Sequence, residues 1–147
     1  MIMVTSVAGR LEQHPFDGRR LEWVALDFDA MAKGHQRVMT DAGTEVAISR
    51  GRGERLADGD VLYADAGRVI AVKAADDDAL VITPAEPMQW GLVGFRLGNR
   101  HCASFFQPAS ILVPYDHTFE ELLRELGVPY RRERRPLVGI RASAHAH

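Results

Sequence analysis

The chain changes texture near its midpoint, at Ala74-Ala75-Asp76-Asp77-Asp78, a run of small and acidic residues that reads as a linker. Before it, Gly and Asp recur at short intervals and leave room only for short strands. After it, two apolar patterns of helical period appear. That division predicts two small units rather than one, with the boundary within a few residues of position 75. The expected organisation is a β domain over 1–75, an α+β domain over 76–140 and a flexible tail over 141–147. In a chain of 147 residues, two half-size cores are each marginal and gain from a partner surface.

In the first half, Ile2 to Val7 is apolar and β-branched and reads as a strand. Leu21 to Leu26 alternates in part, with Leu21, Trp23 and Ala25 set against Glu22 and Val24. Asp41-Ala42-Gly43 predicts a hairpin turn between strands over 36–40 and 44–48, and Asp65-Ala66-Gly67 a second between 61–63 and 68–72. Gly51-Arg52-Gly53 and Asp58-Gly59-Asp60 mark further turns. The spacing suits a small β-sandwich or a partly open barrel.

In the second half, Ala79 to Thr83 reads as a strand, and Pro84 and Pro87 bracket the entry to a helix that runs to about Asn99. Its expected core stripe is Met88, Leu92, Phe95 and Leu97, with Val93 alongside. Gly91 and Gly94 each weaken this helix by about 1 kcal/mol relative to alanine, unless their small size serves close packing against a sheet. Ser110 to Val113 reads as a strand that starts as early as Phe105. Thr118 and Glu121 have the spacing of a capping box, Phe119, Leu122, Leu123 and Leu126 form the apolar stripe, and Gly127 ends the helix. Val128 to Leu137 supplies a last strand. The order strand, helix, strand, helix, strand predicts an α+β sandwich of the ferredoxin-like kind.

Composition narrows the function classes. A formal net charge of -2 argues against a general nucleic-acid binder. The lone Cys102 excludes an intrachain disulfide framework. Met1-Ile2-Met3-Val4 lacks a charged segment ahead of a long apolar run, so no signal peptide is expected. No stretch approaches the roughly 18 consecutive apolar residues of a membrane helix. The expected compartment is the cytoplasm, with neither nucleic acid nor membrane as a partner.

Four of the six histidines, His101, His117, His145 and His147, lie in the last third of the chain. Neutral imidazole suits nickel, copper and zinc. His101, just past the first helix, reads either as a metal ligand or as a terminal residue that bonds the last helix carbonyls. His117 stands just before the Thr118 cap, where the positive helix end disfavours imidazolium and so keeps the ring in its ligand form; it reads equally as a surface histidine beside a turn. Asp116 is a candidate to orient a ligand ring, but the helix N-cap is its more ordinary role. His145-Ala146-His147 can close a pair of imidazoles onto one metal or simply be a loose end. Cys102 is a soft ligand candidate or a small buried hydrophobe. Arg131, Arg132, Arg134 and Arg135 read as a solvated strand face balanced by Glu120, Glu121 and Glu125, with docking to an acidic partner as the alternative. His14 and His35 lie in turn-like surroundings and are not expected ligands.

The ordered set Gly98-Asn99-Arg100-His101, Tyr115-Asp116-His117 and the helix end Leu126-Gly127 resembles the UreE family, the urease accessory metallochaperones. The likeness extends through the first half at Arg37, Thr40, Gly43, Val46, Arg50-Gly51 and Leu56-Ala57-Asp58-Gly59-Asp60. The resemblance implies an N-terminal β domain of the peptide-binding type and a ferredoxin-like metal-binding domain through which members form a homodimer. It implies that His101 from both protomers shares a metal at the interface and that His145 and His147 add ligands, with His117 as a further candidate. The metal implied is Ni2+, carried as cargo and passed through a urease accessory GTPase to apo-urease. Zn2+ and Cu2+ are expected to compete for the same nitrogen ligands. The chain departs from some members in ending on two histidines rather than a long histidine-rich tail, and in carrying Tyr115 where an additional histidine can stand.

The expected function is therefore a nickel metallochaperone for urease maturation with no catalytic residues and no enzyme activity. The alternatives are a non-metal peptide or protein interaction module and, third, a small hydrolase built on Cys102 with His117 or on a metal-bound water. Neither a nucleophile elbow nor an HExxH motif supports the last.

Overall fold

The computed structural model describes residues 1–13, 18–51 and 54–142. His14, Arg52, Gly53, His145 and His147 therefore lie outside the described residues. The chain divides into two compact units, Met1–Ala75 and Asp76–His147.

The first unit contains β1 (Ile2–Val4), β2 (Gly9–Arg10), β3 (Arg20–Leu26), the short helix α1 (Phe28–Ala32), β4 (His35–Met39), β5 (Glu45–Ser49), β6 (Asp60–Ala64) and β7 (Arg68–Ala74). They form a three-stranded sheet in the order β1-β5-β4 and a four-stranded sheet in the order β2-β6-β7-β3. The β4–β5 and β6–β7 hairpins fall where the turn residues predict. In the second, the Asp65 carboxylate accepts from the amides of Gly67 and Arg68 at 2.8 and 2.9 Å and closes the turn. Tyr63 pairs Ile70 while Val61 pairs Ala71. Leu62 is thus an extra residue, and this bulge lets Val61 and Leu62 both turn inward. Local turn signals do not reach the two parallel pairings, β1 with β5 and β3 with β7.

The alternation expected in β3 has the right period and the opposite phase. Val24 and Leu26 are buried with Glu22 at 0% exposure, whereas Ala25 faces out and Leu21 is 36% exposed. Glu22 tolerates burial because its carboxylate is surrounded by donors. It accepts from Thr40 Oγ1 at 2.6 Å, Thr44 Oγ1 at 2.7 Å and Arg20 Nη2 at 2.9 Å, with Arg68 Nη1 at 3.4 Å. The two threonine hydroxyls, ahead of the arginines, lower its pKa to about 2.

The second unit runs β8 (Asp76–Ile82), α2 (Pro87–Asn99), β9 (Ser104–Phe106), β10 (Ile111–Pro114), α3 (His117–Leu126), β11 (Tyr130–Pro136) and β12 (Ile140–Ala142). Its five-stranded sheet has the order β11-β8-β10-β9-β12, antiparallel throughout. This is the ferredoxin-like β-α-β-β-α-β arrangement with an added edge strand. The stretch expected as one strand from about Phe105 is a hairpin of two, β9 and β10, and Gln107 and Ser110 bond each other's backbone across the turn. The acidic run is strand rather than linker, since only Ala75 separates β7 from β8. Arg132 holds Asp78 in a two-point pair at 3.0 and 2.7 Å, and Arg134 donates to the Asp76 carbonyl at 3.1 Å. Opposite charges on paired strands let the aspartates extend the sheet. The arginine run is thus balanced chiefly by Asp78 and by Glu133, not by the α3 glutamates.

One face of the sheet is covered by Val93 and Leu97 of α2 and by Phe119, Leu122 and Leu123 of α3, over Leu80, Ile82, Ile111 and Val113. The expected α2 core stripe is therefore mostly wrong. Met88 is 70%, Leu92 41% and Phe95 64% exposed. The pair that packs is Val93 and Leu97, spaced i, i+4, with Trp90 half-buried beside them. Nor do Gly91 and Gly94 serve packing within the unit, since a Cβ on either would meet nothing within 4 Å. No helix among the described residues is long and apolar enough to cross a membrane.

Candidate metal centre

The α2 helix ends in a turn that closes two backbone bonds. His101 N–H donates to the Gly98 carbonyl at 3.1 Å, and Cys102 N–H to the Leu97 carbonyl at 3.1 Å. This pair of bonds is the Schellman motif, whose pivotal residue takes left-handed backbone and is usually glycine. Here the pivot is His101, at φ +54°, the only non-glycine residue with positive φ among those described. An L-residue in that conformation costs about 1–2 kcal/mol. The strain falls on an exposed histidine. The helix-terminal reading holds for the backbone N–H, which bonds the helix end.

Arg100, one residue before, crosses to the second motif. Its Nη1 donates to Thr118 Oγ1 at 2.9 Å, and its guanidinium stands 5.6 Å from the Phe119 ring centre. Thr118 Oγ1 donates onward to Asp116 Oδ1 at 2.6 Å, and the same oxygen accepts from Phe119 N–H at 2.8 Å. Asp116 is thus the N-cap of α3, and its pKa is lowered first by the Thr118 hydroxyl and then by the Phe119 amide. The capping box expected from Thr118 and Glu121 does not form. His117 is the first residue of the helix rather than its flank, and its Nε2 lies 3.1 Å from Glu121 Oε1 one turn on. A carboxylate at that distance orients the ring and leaves Nδ1 for a metal. Arg100 and Glu121 carry no sequence signal of these roles beyond adjacency to His101 and an i, i+4 spacing from His117.

Cys102 is half-buried against the core of the unit. Burial, and then the charge of Asp116, push its thiol above the ordinary range. That is the reverse of what a nucleophile needs. At the far edge, β12 pairs with β9 so that Ala142 lies opposite Ser104 and Ile140 opposite Phe106. The last described residue therefore lies beside the strand that follows the His101 turn. Among the described residues, no group of three or more His, Cys, Asp or Glu side chains is placed to hold a metal ion. The described residues thus bring the two motif histidines to helix ends that Arg100 and Thr118 link.

Residues 4–75 match the N-terminal domain of the UreE urease accessory protein, and residues 77–147 match its C-terminal domain. The chain belongs to the UreE family. It is 36% identical over 147 residues to the urease accessory protein UreE of Geobacillus kaustophilus (strain HTA426), covering 99% of each chain. It is 35% identical over 147 residues to that of Bacillus sp. (strain TB-90), again covering 99% of each. It is 39% identical to that of Staphylococcus aureus (strain MRSA252) over 130 residues, covering 88% of this chain and 87% of the relative. In UreE terms, the left-handed His101 turn and the capped start of α3 both belong to the C-terminal domain.

Proposed function

We propose that the protein is a nickel metallochaperone that delivers Ni2+ for assembly of the urease active site, through a histidine site shared across a homodimer. Membership of a urease accessory family supports a role in urease maturation. The single observation that carries the finer reading is the α2 surface. Met88, Leu92 and Phe95 are exposed along one helix that ends at the strained His101. Burying such side chains is worth about 1.5–3 kcal/mol each, and a second copy is the partner that also doubles the imidazoles. A two-fold axis near the end of α2 brings one His101 from each protomer to a common metal.

His145 and His147 are the further ligands in this reading, although they lie outside the described residues. The β9–β12 pairing favours their use: His101 precedes Ser104 by three residues, and His145 follows Ala142, the partner of Ser104, by three. That length of chain spans about 10 Å. His117, oriented by Glu121, is the secondary candidate. Two to four imidazoles with open positions hold nickel loosely enough to pass it on, whereas a closed cage would not. Copper and zinc compete for the same nitrogens, so selection rests on geometry and supply. The reading places the protein in the cytoplasm, without catalytic activity, handing nickel through the accessory GTPase to apo-urease. The raised Cys102 thiol counts against the hydrolase alternative.

Calorimetric nickel titration of wild type and His101→Ala, with light scattering for mass, tests the proposal. The expected result is a dimer that binds about one nickel per two chains, with that site lost in the variant. Equal binding by both proteins overturns the shared His101 site. No binding by either leaves the peptide or protein interaction module as the better reading.

A further inference from the structure

Three of the five methionines stand on one exposed surface of the first unit. Met1 is 65%, Met3 62% and Met39 59% exposed. The sheet β1-β5-β4 collects them. Across β4 and β5, Met39 pairs Glu45 and Arg37 pairs Ala47; across β1 and β5, Met3 pairs the same Ala47. One step back along the chain, Met1 comes beside Glu45. Side chains alternate from face to face along a strand. Met1, Glu45 and Met39 therefore form one row of the outer face, and Met3, Ala47 and Arg37 the next. Val46 and Ile48 face the other way and are buried. Neighbouring strands lie about 4.8 Å apart and alternate residues about 6.8 Å apart, which puts the three methionine Cα atoms within about 12 Å of one another. The core does not call for these thioethers, and methionine is not among the residues that strands favour.

Met1 and Met39 line a common cavity of about 210 Å³, with Arg37 and Glu45 in the same wall. In the next row Ala47 carries only a methyl group, which leaves room for Met3 to lean towards the other two. A methionine side chain is unbranched, with three rotatable bonds and a polarizable sulfur, so sulfurs carried on these three Cα atoms can converge above the sheet. Thioethers are neutral, soft ligands that select Cu(I), whereas imidazole nitrogen suits nickel and zinc. Glu45 offsets the charge of Arg37 in the lining, so a monovalent cation meets no net repulsion there. We propose that Met1, Met3 and Met39 form a thioether site for monovalent copper. The site uses no histidine, and all its residues belong to the first unit, so it stands or falls apart from the nickel reading.

The test is an NMR titration of the full-length protein, isotope-labelled at the methionine methyl groups, with silver nitrate. Ag+ shares the ligand preference of Cu(I) and brings no redox chemistry. The parent protein carries Cys102→Ala, so that the one thiol does not consume silver. Saturable shifts are expected at the Met1, Met3 and Met39 methyl groups. Met31, 6% exposed, and Met88, 70% exposed but on α2 in the second unit, should not move. Nickel chloride at the same concentration should shift none of the three. Met39→Leu keeps size and apolarity and should weaken silver binding by about tenfold or more, with the amide spectrum of the sheet otherwise unchanged. A Met88 shift that keeps pace with the other three would mean that any exposed thioether suffices, and overturns the site. So does the absence of shifts at the three methyl groups, or equal affinity in Met39→Leu. A matching response to nickel overturns the assignment to monovalent copper.

Discussion

The two helices of the second unit end in the same turn built on different residues. At the end of α3, Gly127 takes φ +68°, its N–H bonds the Arg124 carbonyl at 3.2 Å, and Val128 N–H bonds the Leu123 carbonyl at 3.1 Å. At the end of α2, His101 takes φ +54°, and the corresponding bonds run to Gly98 and Leu97. Glycine reaches this backbone without steric cost; histidine does not. The α3 turn thus forms without backbone strain, whereas the α2 turn carries strain at a histidine. The residue following each turn differs too. Val128 is 3% exposed and locks α3 to the core, while Cys102 remains half-buried.

His101→Gly breaks the comparison most directly. It should abolish the proposed shared nickel site, a loss of at least about 100-fold in affinity, while raising stability by about 0.5–1 kcal/mol as the turn relaxes. Calorimetry and urea unfolding measure the two, and a variant that is destabilised as well as metal-free would show that His101 supports the fold. Next comes the contrast between a closed polar site and an open one. Glu22→Ala strands two threonine hydroxyls and the Arg68 guanidinium, and should cost about 3 kcal/mol without affecting nickel. Its acid response follows from the same contacts. The folded pKa lies below the unfolded value, so the contribution of Glu22 is complete above about pH 4.5 and is lost as pH falls towards 2. Acid unfolding of wild type should steepen in that window, and a Glu22→Gln variant should lack that component.

Gly127→His transfers the strain of the α2 turn to α3. A Cβ there meets nothing within 4 Å, so the cost is backbone strain alone, about 1–2 kcal/mol by urea unfolding, with nickel binding retained. A neutral result would mean that the left-handed turn is cheap in this protein and that His101 carries no strain. Asp116→Ala is the smallest of the four. Loss of the α3 cap should cost about 1 kcal/mol. Because Arg100 reaches Asp116 through Thr118, the nickel spectrum should also shift relative to wild type; an unchanged spectrum would detach the two motifs from each other.

Much of the fold was legible because its signals are local. The β4–β5 and β6–β7 turns and the Gly127 stop act within a few residues of themselves, and so could be read along the chain. The misreadings have physical causes. The α2 stripe of Met88, Leu92 and Phe95 has the period of a core face but points outward, because helical period is the same for a buried face and for an exposed one. The acidic run looked like a linker because aspartate is a poor strand former, and the arginines that rescue it come more than fifty residues later. The β3 phase inverts because the buried face carries Glu22, a residue type that is rarely inside unless donors surround it. At the site, His101 and His117 stood out by residue type, whereas the left-handed backbone of His101 and the Arg100–Thr118 link carried no such mark.

Chemistry confined to neighbouring residues was therefore readable along the chain: the two-part organisation, the α+β class and the C-terminal ends of α2 and α3. Contacts between distant residues were not. Glu22 is buried because Thr40 lies 18 residues on and Arg68 46 residues on. The two histidine motifs meet because Arg100 reaches Thr118, 18 positions away. Burial and pairing are set by which surfaces the fold brings together, and one-dimensional pattern holds no record of that choice.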